Sequence, residues 1–103
     1  MTDKEFLAIV QEKHPRDVRI GKVTGQVRLY GKAWDALREH IWNREGRKCK
    51  NCLTPVDLKK GLWSTMQAAH YKSKGSGADD LPSNTRSLCM QCHASEHAGR
   101  DVE

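Results

Sequence analysis

The sequence has no apolar run approaching the roughly 18 residues of a membrane-spanning helix, and no membrane partner is expected. Its first residues, Met1-Thr2-Asp3-Lys4-Glu5, lack the basic start and apolar middle of an export signal. A reducing, cytoplasmic setting is expected on that ground. No internal repeat and no linker divides the chain, so a single domain is expected. With 103 residues and 37% apolar content, the chain also lacks the bulk for a comfortable hydrophobic core. A structural metal would supply the missing stabilisation, because its binding energy becomes folding energy in a small domain.

What the sequence does contain is four cysteines in two pairs, Cys49-Lys-Asn-Cys52 and Cys89-Met-Gln-Cys92. Two-residue spacing lets both sulfurs of a pair turn toward one cation, and two such knuckles complete a tetrahedral four-cysteine zinc site. Without an export signal, paired cysteines point to metal ligation rather than to disulfides. Thirty-six residues separate Cys52 from Cys89, more than a plain zinc ribbon needs. That gap holds His70 and Asn84, so the zinc reads as a clamp around a second, chemically active site. Lysine and arginine outnumber aspartate and glutamate by 18 to 13, a net charge of +5. Such an excess favours a polyanionic partner, of which nucleic acid is the usual one. Arg44, Arg47, Lys48 and Lys50 surround the first knuckle, while Lys72 and Lys74 follow His70 and are the expected nucleic-acid contacts.

Thr2-x-x-Glu5 has the form of a capping box, with Phe6, Ile9 and Val10 behind it at helical spacing. A helix is expected over Asp3 to Lys13, stopped by Pro15. Val18 and Ile20, then Val27 and Leu29, alternate around Thr24-Gly25 and predict two short strands and a turn. From Lys32 to Arg44, Trp34, Leu37 and Ile41 form an apolar stripe opposite Asp35, Arg38, Glu39 and His40, which predicts an amphipathic helix. Trp63 to Tyr71 reads as a strand with Met66, Ala68 and His70 on one face. The basic, glycine-containing stretch from Lys72 to Gly77 reads as a loop, and Thr85 to Leu88 as a short extended segment. Cys92 to Ala98 should be a helix with Gly99 as its C-cap. Trp34, Trp42 and Trp63 are expected in core or zinc-flanking packing, and His14 and His40, which carry no motif, at the surface.

His93 and His97 lie four residues apart, on one face of the last helix with Cβ atoms about 6 Å apart, a ready bidentate platform for a metal. The ordered set Cys49-x2-Cys52, Ala69-His70, Asn84-x4-Cys89, Cys92-His93 and His97 resembles the HNH endonucleases, whose core is the ββα-metal fold. The lead-in Arg28-Leu29-Tyr30-Gly31-Lys32-Ala33-Trp34, continued by Leu37-Arg38 and Arg44-Glu45-Gly46, resembles that of phage-type members. The resemblance covers about Val27 to Gly99. It divides the chain into an N-terminal extension, residues 1–26, with a helix and short strand, and a nuclease domain, residues 27–103. The fold class it implies is a small α+β domain: a ββα-metal core stapled by a four-cysteine zinc site and preceded by helices and a short β segment.

The resemblance implies a metal-dependent endonuclease acting on DNA and leaving 5′-phosphate and 3′-hydroxyl ends, in a bacterial or phage-infected host cell. His70 matches the general base, a task for which a neutral imidazole is suited near pH 7. Asn84 matches the middle Asn, which in the family steadies the loop carrying the base. His93 matches the last histidine of the motif and would hold the catalytic divalent ion, with His97 sharing it. Imidazole ligation suits Mn2+, Ni2+, Co2+ or Zn2+ at least as well as Mg2+, which prefers oxygen. One active centre per small chain implies nicking by a monomer, with double-strand breaks requiring a dimer or two nearby nicks.

One position departs from the family pattern. The residue before the base is commonly Asp or His and supplies a metal ligand; here it is Ala69. Asp79, Asp80 and Glu96 are the nearest carboxylates in sequence, and the residues leave the choice among them open. A zinc-stapled nucleic-acid-binding module without catalysis is the alternative, and it leaves His70, His93 and His97 as coincidences. Cys89-Met-Gln-Cys92-His93 is also literally a haem-attachment string, but that reading needs export and leaves Cys49 and Cys52 unused.

Overall fold

The structure, a computed structural model, describes residues 1–58, 65–71 and 79–101, with side chains described as far as Ser95. Its elements are α1 (Asp3–Lys13), β1 (Val18–Ile20), β2 (Val27–Leu29), α2 (Gly31–Arg44), β3 (Gln67–His70), β4 (Thr85–Leu88) and α3 (Met90–Asp101). Single 3-10 turns at Pro15–Asp17 and Pro82–Asn84 precede β1 and β4. The expected bounds of α1, β1, β2 and β4 match those observed. The last helix begins earlier than expected and runs to Asp101, so Gly99 lies within it instead of capping it. Trp63, Lys72 and Lys74 lie outside the described residues, as do the side chains of Glu96 and His97.

Both bonds of the capping box form: the Glu5 N–H donates to Thr2 Oγ1 and the Thr2 N–H to Glu5 Oε1, each at 3.2 Å. They satisfy two helix-end donors that would otherwise lack partners. The N-terminus of α2 is capped from a distance. Tyr30 supplies no side-chain cap, and Asp17 Oδ2, in the preceding 3-10 turn, accepts the Lys32 N–H at 3.0 Å. Gly31 has φ +47°, and a Cβ there would lie 3.1 Å from Asp17 Oδ2. Conformation and space both call for glycine at that position.

Two antiparallel two-stranded sheets result, one of β1 and β2 and one of β3 and β4. Val18 pairs with Leu29 in the first, and His70 with Thr85 in the second. Helices α2 and α3 both pack against the β3–β4 pair. Strands β3 and β4 with α3 form the ββα unit, and α2 closes the core behind it. Leu37, Ile41, Met66 and Leu88 are fully buried, and Phe6 and Val10 of α1 join the same cluster. Residue 69 alternates to the face opposite His70 and is packed into this core, 2% exposed. A small apolar side chain fits there, whereas a carboxylate would be buried without water. No helix among the described residues is long and apolar enough to cross a membrane.

Candidate active site and metal centre

The first cysteine knuckle is shaped by left-handed backbone. Gly46 (φ +70°) and Arg47 (φ +62°) turn the chain out of α2, and the Arg47 N–H donates back to the Trp42 carbonyl at 2.8 Å. A bridge between Lys48 and Pro55 then closes a small loop. Inside it the Cys49 N–H donates to Thr54 O and the Leu53 N–H to Cys49 O, both at 2.9 Å. The Lys50 N–H donates to Ser87 O at 2.9 Å, hooking this loop to β4 just before the second pair begins. Cys89 ends that approach, and the Cys92 N–H, in the first turn of α3, points at the Cys89 sulfur at 3.4 Å.

The four sulfurs therefore converge. All lie within 4.8 Å of one another, and Cys52 Sγ is 3.7 Å from Cys89 Sγ. Zinc–sulfur bonds of about 2.3 Å define a tetrahedron with edges of about 3.8 Å, so the cluster fits such an ion with little adjustment. No disulfide joins any of them. The Thr54 hydroxyl beside Cys52 brings its thiol down to about 6. The sulfurs of Cys89 and then Cys49 push Cys92 up to about 12. Four thiols this close resist carrying four negative charges, and a dication removes that conflict.

At the other end of the β3–β4 ladder from Cys89, paired with Thr85, stands His70, the last residue of β3. Its Nε2 lies 2.6 Å from Asp80 Oδ1, and the two side chains are 16% and 1% exposed. Asp80 is anchored by β2: its Oδ2 accepts the Leu29 N–H at 3.0 Å, and its own N–H donates to Val27 O at 2.9 Å. Asp79 Oδ1 accepts the Val27 N–H at 2.8 Å. The Trp34 ring of α2 stacks on the imidazole, centroids 6.0 Å apart and planes 16° off. Asn84 is tied to both ends of the segment that follows His70. Its Nδ2 donates to Asp79 O at 3.0 Å, and its carbonyl accepts the Tyr71 N–H at 2.9 Å.

His93 sits one residue past Cys92, partly buried, with its N–H donating to Cys89 O at 3.0 Å. The second knuckle thereby places it. Position 97 is on the same helix, and its side chain lies outside the described residues. Of the three carboxylates nearest in sequence, Asp80 has both oxygens engaged and Asp79 has one.

The basic residues near the first knuckle divide into two groups. Arg44 turns inward, its Nη1 donating to Pro82 O and its Nη2 to Thr85 O, each at 2.7 Å. It is a clamp on the turn that carries Asn84. Arg47 covers the Trp42 ring, 4.8 Å from its centroid. Lys50 reaches the other way, its Nζ donating to the Tyr71 hydroxyl at 2.6 Å. The Arg86 guanidinium lies over the same ring at 4.4 Å. Positive charge and an exposed aromatic ring thus adjoin His70. Sequence spacing did not single out the pairing of Asp80 with His70, the stacking of Trp34 or the inward turn of Arg44. His14 and His40, expected at the surface, are partly buried; His40 packs on Phe6 with ring centroids 5.5 Å apart.

Residues 49–99, from the first knuckle into the last turn of α3, match the family model described as HNH endonuclease. No curated protein and no solved structure matches the chain.

Proposed function

Because residues 49–99 make this chain a member of the HNH endonuclease family, we propose that it is a metal-dependent DNA endonuclease nicking one strand per active centre. The observation that carries this reading is the joint placement of the motif residues. The cysteine cluster holds the start of α3, with His93, against the strand pair that presents His70, and Asn84 pins the segment between them.

Zinc is the ion assigned to Cys49, Cys52, Cys89 and Cys92, as a structural staple. A catalytic divalent ion, Mn2+, Mg2+, Ni2+, Co2+ or Zn2+, would be held by His93 and His97 and would neutralise charge on the phosphate and on the leaving 3′ oxygen. His70 takes the proton from the attacking water. Asn84 steadies the chain that follows that base through its bonds to Tyr71 and Asp79. Lys72 and Lys74 contact DNA phosphates, and Lys50, bonded to the Tyr71 hydroxyl, adds positive charge just past the end of β3. Residues 1–26 act as a buttress for the nuclease domain, a role supported by Asp3 Oδ1 accepting the Ser83 N–H at 2.9 Å. A cytoplasmic, phage-related setting and a monomeric state complete the reading.

The test is incubation of purified protein with supercoiled plasmid across those metals, followed by mapping of the ends. Open-circular product with 5′-phosphate and 3′-hydroxyl ends, absent in His70→Ala, is expected. An intact plasmid that nevertheless binds the protein would assign the chain to the non-catalytic binding modules.

A further inference from the structure

We propose that Asp80 is a positioning residue for His70, holding the imidazole in the tautomer with its proton on Nε2 and its lone pair on Nδ1. The inference rests on His70 acting as the base. A carboxylate oxygen only accepts, so the imidazole nitrogen 2.6 Å from Asp80 Oδ1 must carry the hydrogen. Asp80 cannot swing away, because its other oxygen takes the Leu29 N–H and its main chain is bonded to Val27. At 1% exposure it also lacks water to exchange for its partner. Trp34 fixes the plane of the ring from its face. With Nε2 committed inward, Nδ1 is the nitrogen able to take a proton.

The step balances on that basis. An O–H bond of water breaks and its proton passes to Nδ1, while the hydroxide oxygen forms the new bond to phosphorus. The bond from phosphorus to the 3′ oxygen breaks, and that oxygen leaves with the electron pair and is protonated by solvent. The imidazolium formed sits against a buried carboxylate, which stabilises its charge without taking its proton. The supports for this arrangement, β2 and Trp34, precede residue 49, so they lie outside the span matched to the family.

Asp80→Asn tests the idea because the amide is not symmetric. Leu29 N–H requires the Asn oxygen, which turns the amide nitrogen, a donor, toward His70. The imidazole must then accept at Nε2 and move its proton to Nδ1. Long-range 15N–1H NMR of histidine-labelled protein should show the neutral His70 ring protonated at Nε2 in the wild type and at Nδ1 in Asp80→Asn. Nicking kcat should fall by a factor on the order of 100 or more, with KM for DNA, zinc content and Mn2+ affinity changed less than about threefold. Wild-type His70 protonated at Nδ1 would overturn the proposal, and this needs no variant to fold. So would near-wild-type kcat in Asp80→Asn, or a loss of Mn2+ affinity with the tautomer unchanged. If His70→Ala cleaves normally, the base itself is misassigned. If His70→Ala is inactive while Asp80→Asn is active, only the positioning role fails.

Discussion

The indole of Trp34 lies nearly parallel to the imidazole of His70, with ring centroids 6.0 Å apart and planes 16° off. One ring belongs to α2 and the other to the end of β3, so the helix ahead of the first knuckle forms a wall of the site. Trp34→Ala should cost about 3 kcal/mol, the low end for losing an aromatic side chain because Trp34 is only partly buried. It should also slow nicking more than the loss of stability explains at a temperature where the variant is still folded. Trp34→Phe, which keeps a ring, should recover most of both in urea unfolding and plasmid assays.

His70 and His93 should fail differently. His70→Ala should reduce nicking by a factor on the order of 100 or more, with zinc content, DNA affinity and catalytic-metal binding retained. His93→Ala should lose activity together with divalent-metal binding, measured by calorimetry with Mn2+. Identical metal affinity in both variants would remove His93 from the ligand set.

One zinc per chain is expected by elemental analysis. Replacing the fully buried Cys49 by serine, or stripping metal with a strong chelator, should unfold the domain as read by circular dichroism. A folded protein without tightly held metal would contradict the structural role given to the cysteines.

His40 should make stability pH-dependent. Burial lowers its pKa below the usual 6.5, reinforced by the nearby Arg44 charge and opposed by Asp3. The unfolded chain therefore binds a proton in a range where the folded chain does not. Stability should fall as pH drops below about 6.5 and be unaffected by this group above it. Denaturation curves between pH 5 and 8 should flatten in His40→Gln at the acidic end.

Arg44 holds two carbonyls of the Pro82–Thr85 turn with one planar fork. Arg44→Ala should destabilise by about 2 kcal/mol, the scale of hydrogen bonds to a charged group. Arg44→Lys should recover little, because a single ammonium cannot reproduce the fork. Hydrogen exchange should accelerate at Asn84, whose N–H is bonded within that turn.

The sequence by itself determined the features whose physics is local. A capping box, period-two alternation and a helical stripe each depend on residues within a few positions, and α1, β1, β2, α2 and β4 formed where these signals stand. Two-residue cysteine spacing likewise predicted that the knuckles could share an ion, and the sulfurs do converge. Tertiary structure alone decided which carboxylate meets His70. Asp79 and Asp80 are adjacent in the chain, and burial against β2 assigns the second one to the imidazole. It also bonded Arg44 to carbonyls 38 and 41 residues away, partners that its place beside the knuckle does not reveal. Such partners have no fixed spacing, because a charged group is taken from water only where packing excludes it and supplies replacement hydrogen bonds.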